Sequence, residues 1–152
     1  MGEKSPVLIR EEGGKVYLVH LVNETLKVKG LGVFNPNNLL SDLKIGDNIG
    51  IGQKTLQRIP MRLPEFISCM KRRAQTISAK DAGWLISNMG IGSNDVVLDA
   101  GLGSAGLALH LAQVLGSDGT LITVEVRDDH ADIGLENLTS AKECFPEFPN
   151  HK

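Results

Sequence analysis

The chain has 152 residues, of which 41% are hydrophobic and 22% are charged, a size and balance typical of one average globular domain or two small ones. The net charge of −2 excludes the overall basic excess that nucleic-acid-binding proteins usually show, so any basic surface must be local, and the densest positive run is residues 71–73. Because no apolar run is long enough for a transmembrane helix and the two cysteines lack the spacing of a disulfide framework or zinc site, we expect a reduced cytoplasmic protein without a membrane span or a metal.

The first 58 residues are predicted to form a small β domain. Residues 7–10 and 15–19 are β-rich runs on either side of a turn that contains Gly13 and Gly14, which is the signature of a hairpin. Residues 26–28, 31–34 and 45–51 are further short β-like runs, and residues 35–38 form a turn cluster of Asn and Pro. Together these runs favour a compact, barrel-like β module.

Residues 59–77 are predicted to link this domain to the next one. Pro60 and Pro64 interrupt regular structure, and residues 65–73 have the pattern of a short helix. Phe66, Ile67 and Met70 share one face of that helix, so we expect them to pack in a core.

Residues 78–152 alternate between helices and strands, which predicts an α/β fold with a parallel sheet. The first helix begins at Ser78, which can cap its N-terminus, and ends before Gly90, with Trp84 expected in the core. The wholly apolar run over residues 96–98 is typical of a buried parallel strand. A helix over 106–115, a strand over 121–124 and a helix over 129–144 are predicted to follow.

The strongest motif directly follows the first of these strands and precedes a helix. It is Asp-Ala-Gly-Leu-Gly-Ser-Ala-Gly over residues 99–106, in which Gly101, Gly103 and Gly106 match the pattern GxGxxG. Glycines permit a tight turn and let a ligand approach the backbone closely. The pattern alone is a weak signal, but its position between a strand and a helix is that of a nucleotide-binding loop.

Two carboxylates near this loop indicate which nucleotide it binds. Glu125 ends the next strand, where an acidic side chain can accept hydrogen bonds from both ribose hydroxyls of an adenosine. Asp99 lies two residues before the first glycine, where its charge repels a pyrophosphate and attracts the ammonium group of S-adenosylmethionine (SAM). We therefore expect SAM in place of NAD; the alternative is that Asp99 only caps the following turn.

With these residues together, the sequence resembles the archaeal and bacterial tRNA (adenine-N1)-methyltransferases. The resemblance is carried by residues 71–81 (Lys-Arg-Arg-Ala-Gln-Thr-Ile-Ser-Ala-Lys-Asp), by the glycine motif, by residues 124–127 and by the β-rich N-terminal region. The family shows an Arg-Arg-x-Gln-x-x-x-x-Lys-Asp segment before its SAM motif. The resemblance implies a partial Rossmann-like SAM methyltransferase fold preceded by a small β domain.

The resemblance also implies roles for individual residues. Gln75 and Thr76 would lie over the SAM pocket, Leu102 would line its methionine side, and Glu125 would hold the ribose. Backbone groups of the loop would form the pocket floor, at Gly101, Gly103, Ser104 and Ala105. Such enzymes are usually homotetramers that hold tRNA between subunits and methylate adenine N1 after the base is flipped from its stack.

Two departures from the family limit what can be carried over. Ser78 and Ala79 replace a usual Tyr-Pro pair, so an aromatic contact near the pocket is missing. The predicted sheet reaches only its second strand of seven, whereas the family's catalytic aspartate follows the fourth. We therefore expect the catalytic residue beyond Lys152, with this chain supplying the SAM-binding half of the enzyme.

Other interpretations stay open on the sequence alone. The chain fits a non-catalytic SAM- or nucleotide-binding module or subunit, or half of an NAD-binding oxidoreductase. The basic run at residues 71–73 either contacts RNA phosphates or is simply solvated at a helix end. The exposed edge of an incomplete sheet also predicts self-association.

Overall fold

The structure is a computed structural model that describes residues 5–152, so residues 1–4 of the predicted β domain lie outside the described part. The chain divides into two compact units, one ending at Met70 and the other beginning at Lys71. The described part of the first unit contains β1 (Val7–Glu11), β2 (Val16–Val19), β3 (Leu26–Val28), β4 (Gly32–Phe34), α1 (Pro36–Leu40), β5 (Asn48–Ile51), β6 (Lys54–Ile59) and α2 (Leu63–Cys69).

Four of these strands form an antiparallel sheet in the order β2-β1-β6-β5, and β3 pairs with β4 in a separate ribbon. The predicted hairpin is present, with Val7 opposite Val19 and Arg10 opposite Val16. Strand β6, which the sequence pattern did not single out, pairs with both β1 and β5. Within residues 5–152, β2 and β5 are the two edges of this open sheet, so the expectation of a barrel is wrong; four strands are too few to close around a core.

The core of the first unit lies on one face of this sheet, because alternate residues of a strand point to the same side. Ile9 of β1, Leu56 of β6 and Leu40 of α1 are each at most 1% exposed. Residues 35–38, predicted as a turn cluster, instead begin helix α1. The side chain of Asn35 accepts a hydrogen bond from the Asn38 amide at 3.0 Å, and Pro36 takes the first helical position.

The predicted linker divides between the two units. Helix α2 begins two residues earlier than expected and ends at Cys69, and it packs against β2 with Phe66 buried. Residues 71–77 belong to the second unit.

The second unit is the predicted α/β fold. It contains α3 (Ala79–Met89), β7 (Val96–Ala100), α4 (Gly106–Leu115), β8 (Thr120–Val124), α5 (Asp128–Cys144) and β9 (Asn150–His151). The strands form a parallel sheet in the order β7-β8-β9, so the Rossmann-like architecture expected from the sequence is confirmed. Helix α3 begins at the predicted cap, where the Ser78 side chain accepts a hydrogen bond from the Asp81 amide at 3.1 Å.

One face of this sheet is open to solvent in the part of the chain that the structure describes. Val96 is 69% exposed and Leu98 is 63% exposed, whereas Asp99, on the opposite face of β7, is buried. Trp84 of α3 is 64% exposed, so its expected place in the core is wrong. The apolar pattern identified a strand over residues 96–98 and a helix from Ser78 correctly, but the expected burial of the strand is wrong for Val96 and Leu98 within residues 5–152. The pattern does not specify which segment covers an apolar face.

None of the helices within residues 5–152 is both long and apolar enough to span a bilayer.

Candidate functional site

The glycine motif forms a loop at the carboxyl end of β7 that leads directly into α4. The Gly101 amide donates to the Val124 carbonyl at 2.7 Å, which fixes the start of the loop to the end of β8. The backbone is left-handed at Gly101 (φ +101°), at Gly103 (φ +54°) and at Ala105 (φ +67°). Glycine adopts this conformation without strain at the first two positions, whereas at Ala105 the conformation costs a residue with a Cβ of the order of 1 kcal/mol.

Asp99 lies at the end of β7, opposite Thr123 of β8, and is 8% exposed. Burial raises the pKa of its carboxyl above the ordinary value of 3.8. Desolvation is the cause of this shift, and within residues 5–152 no cationic side chain compensates for it. A buried carboxylate without a cation beside it is suited to receive one from a ligand.

Glu125 follows β8 and reaches across to the glycine loop. Its two carboxylate oxygens accept hydrogen bonds from the Gly103 amide at 2.9 Å and from the Arg127 amide at 3.0 Å. These backbone donors, with Gly103 first, lower the pKa of Glu125 below its ordinary value of 4.5. The Val126 amide also contributes to this lowering. A carboxylate has about four acceptor positions, so Glu125 keeps capacity for a hydroxyl group of a ligand. The structure therefore brings together the loop and the acid that the sequence predicted to act with it.

Residues 74–76 lie against the same loop. A Cβ on Gly106 would approach the Thr76 Cβ to 2.9 Å, and a Cβ on Gly103 would lie 3.5 Å from the Ala74 Cβ. The third glycine of the motif is thus needed because Thr76 packs directly on it. Thr76 is half-buried and Gln75 is exposed beside it.

Several residues of the loop are buried in the protein interior. Ser104, Ala105 and Gly106 are buried, and Leu102 is 4% exposed. A Cβ on Gly134 of α5 would lie 2.6 Å from the Leu102 Cγ, so this glycine allows α5 to approach the loop closely. The Leu102 side chain therefore packs against α5 at Gly134.

Sequence reasoning missed two residues of α5 that shape the site, Gly134 and Asn137. The signal for Gly134 was a glycine in a helix interior, where it is unfavourable unless packing requires it. The signal for Asn137 was a polar residue on the buried face of a helix, and this side chain is 4% exposed.

The basic run before the site is paired with α5. The Lys71 ammonium contacts Glu136, and Arg73 Nε lies 2.8 Å from Asp129 Oδ2. All four side chains are well exposed, so these pairs add little stability. They do compete with any phosphate for the Lys71 and Arg73 charges.

These donor and acceptor groups fit SAM better than a dinucleotide. The buried Asp99 carboxylate would repel a pyrophosphate on the loop and would attract an ammonium group. The remaining acceptor capacity of Glu125 suits a ribose hydroxyl.

No protein-family model matches the chain. A curated relative is 28% identical over 131 residues, which are 86% of this chain and 45% of the relative; it is the tRNA (adenine(57)-N(1)/adenine(58)-N(1))-methyltransferase TrmI of Methanocaldococcus jannaschii. Among solved structures, a SAM-dependent O-methyltransferase from Thermotoga maritima matches with a TM-score of 0.74 and 25% identity over 100% of this chain and 56% of that chain. The tRNA (m1A58) methyltransferase TrmI from Aquifex aeolicus matches with a TM-score of 0.64 and 25% identity over 100% of this chain and 57% of that chain.

These findings confirm the resemblance to tRNA (adenine-N1)-methyltransferases and the SAM methyltransferase fold. The chain spans about half the length of the proteins it matches.

Proposed function

We propose that this chain supplies the SAM-binding half of a methyltransferase that acts on adenine N1 in tRNA. The observation that carries the proposal is the arrangement of Asp99, the glycine loop and Glu125 at the adjoining ends of β7 and β8. When bound, SAM supplies an activated methyl group on its sulfonium. The chain's own part is to hold the ammonium group with Asp99, to hold the ribose with Glu125 and to give the ligand close access to the backbone at Gly101.

The methyl donor has broader support than the acceptor. The two solved structures are named for different acceptors, but both are methyltransferases that match this chain over its full length. Adenine N1 in tRNA is named for the Methanocaldococcus relative and for the Aquifex structure, which makes it the acceptor that we propose. Methyl transfer of this kind depends mainly on alignment of the donor and acceptor. Asp99, the glycine loop and Glu125 serve the donor, so other residues are required to position the acceptor.

A tRNA substrate fits a cytoplasmic enzyme, and neither Cys69 nor Cys144 forms a disulfide within residues 5–152. We also propose a homo-oligomer, in line with the family that the sequence resembles.

Calorimetric titration with S-adenosylhomocysteine tests the donor site. We expect saturable binding that Asp99→Asn and Glu125→Gln each weaken about tenfold or more, because each substitution removes a charged partner of the ligand while keeping the side-chain shape. NAD serves as the comparison ligand. Tighter binding of NAD, or unchanged S-adenosylhomocysteine affinity in both folded variants, would reject the proposal.

The acceptor is tested with a chimera. The segment of the Methanocaldococcus relative that matches this chain is replaced by the corresponding 131 residues of this protein. We expect the chimera to transfer labelled methyl groups to a tRNA transcript, but not to one in which adenines 57 and 58 are replaced by guanine. A chimera that binds S-adenosylhomocysteine yet labels both transcripts, or neither, would contradict the proposed acceptor.

A further inference from the structure

Asn137 connects three parts of the second unit that are distant in sequence. It projects from α5 and is 4% exposed. Its Nδ2 donates to the Lys71 carbonyl at 2.8 Å and to the Ser104 carbonyl at 3.0 Å, and its Oδ1 accepts from the Lys71 amide at 3.2 Å. Both protons of the amide are therefore used, and the buried carbonyls that face them are satisfied.

Ser104 holds the next residues of the same segment. Its Oγ accepts from the Arg73 amide at 3.1 Å and from the Ala74 amide at 3.2 Å, and it donates to the Ala74 carbonyl at 3.2 Å. Residues 71–74 lie outside regular helix or strand, so these bonds replace the partners that secondary structure would give their backbone. Two side chains thus fix the whole segment against the glycine loop.

This attachment determines where residues 74–76 lie. Ala74 lies opposite Gly103, where a Cβ would be in ordinary contact at 3.5 Å, and Thr76 packs closely on Gly106, where a Cβ would lie at 2.9 Å. The two ion pairs from Lys71 and Arg73 to α5 are exposed and worth little, so they cannot set this position by themselves. The buried amide of Asn137 has the stronger geometric control, because leaving its partners unpaired in the interior is costly.

We propose that the side chains of Asn137 and Ser104 form a clamp that positions residues 71–76 over the glycine loop, and that these two side chains affect SAM affinity without touching the ligand. The inference rests on the proposed SAM site, which it extends with two positioning residues. The clamped segment includes the basic run at residues 71–73. The clamp therefore also connects that run to the glycine loop.

The first test uses Asn137→Asp, which keeps the shape but replaces the donor with an acceptor facing two carbonyls. We expect S-adenosylhomocysteine affinity to fall about tenfold or more and the Arg73 and Ala74 amides to exchange hydrogen faster. Asn88→Asp is the matched control, because the Asn88 side chain donates within its own helix, to the Trp84 carbonyl at 2.8 Å. Ser104→Ala is expected to act like Asn137→Asp, whereas Ser104→Thr keeps the hydroxyl and should retain most of the affinity.

A double-mutant cycle separates positioning from general loss of structure. If Asn137 acts through the segment that it holds, the effects of Asn137→Asp and Thr76→Ala on affinity are not additive. Additive effects of the two substitutions on affinity would overturn the clamp, as would slow amide exchange at Arg73 and Ala74 in folded Asn137→Asp. Binding of S-adenosylhomocysteine by the wild type would still support the SAM site in either case. Failure of the wild type to bind S-adenosylhomocysteine would instead reject the SAM site, and the exchange measurement would still decide whether the clamp exists.

Discussion

Asp99 and Glu125 end neighbouring strands, yet their surroundings shift their pKa values in opposite directions. Burial raises the pKa of Asp99, so folding favours its neutral form. The amides of Gly103 and Arg127 lower the pKa of Glu125, so folding favours its charged form. The folded protein thus disfavours the anionic form of Asp99, whereas the Glu125 carboxylate ties the glycine loop to the residues that follow β8.

These opposite shifts predict opposite effects on the pH dependence of stability. Because the folded state keeps the Asp99 proton to higher pH than the unfolded state, its contribution is present below 3.8 and is lost as pH rises through the raised pKa. The contribution of Glu125 is present above 4.5 and is lost as pH falls through the lowered pKa. Asp99→Asn should therefore be more stable than the wild type at neutral pH, and Glu125→Gln should be less stable.

Urea unfolding followed by circular dichroism over a series of pH values measures both effects. For each variant, the difference from the wild type should shrink on acidification, because the wild-type carboxylate then becomes neutral like the amide that replaces it. Differences of the same sign in the two variants at neutral pH would show that the assigned environments are wrong.

At the scale of elements, a glycine within α3 and a glycine within α5 have opposite surroundings. Gly83 lies within α3, is exposed, and a Cβ there would meet nothing within 4 Å. Gly134 lies within α5, and a Cβ there would lie 2.6 Å from the Leu102 Cγ and 2.7 Å from the Gly103 carbonyl oxygen. The backbone atom cannot move aside as a side chain can, so α5 is placed by this contact.

The same substitution therefore has opposite effects at these two positions. Gly83→Ala should stabilise the protein by about 0.5–1 kcal/mol, since alanine has the higher helix propensity. Gly134→Ala gains the same propensity but must displace α5 or the loop, at a cost of about 1–3 kcal/mol, so the net change should be destabilising. Thermal unfolding of both variants checks the prediction, which equal midpoints would contradict.

Elements with complete local signals were predictable from the sequence, and those that depend on distant partners were not. The hairpin turn, the Ser78 cap and the glycine loop each carry their signal within a few residues. Helix α1 was missed because Asn and Pro serve equally at turns and at helix starts. Asn137 could not be matched with Lys71 and Ser104, because nothing local encodes a contact across 66 residues and another across 33.

At the scale of the whole chain, the second unit presents an apolar surface that its own described residues do not cover. Val96 and Leu98 project from β7, and Val124 is 48% exposed at the end of β8. Strand β7 is also an edge of the sheet within residues 5–152, so a row of its backbone groups is unpaired. An exposed apolar strand at a sheet edge is a template for pairing with another chain.

This surface predicts that the 152-residue chain self-associates. A single lysine substitution on β7 should prevent the association. Val96→Lys places a charge on the edge strand three residues from Asp99, and edge lysines oppose strand pairing. Val33→Lys in β4 is the matched control, since Val33 is 67% exposed but lies outside the β7-β8-β9 sheet. Sedimentation velocity over a range of concentrations should show association of the wild type and Val33→Lys but not of Val96→Lys. A wild type that stays monomeric at high concentration, or equal effects of the two lysines, would mean that the β7 edge does not drive association.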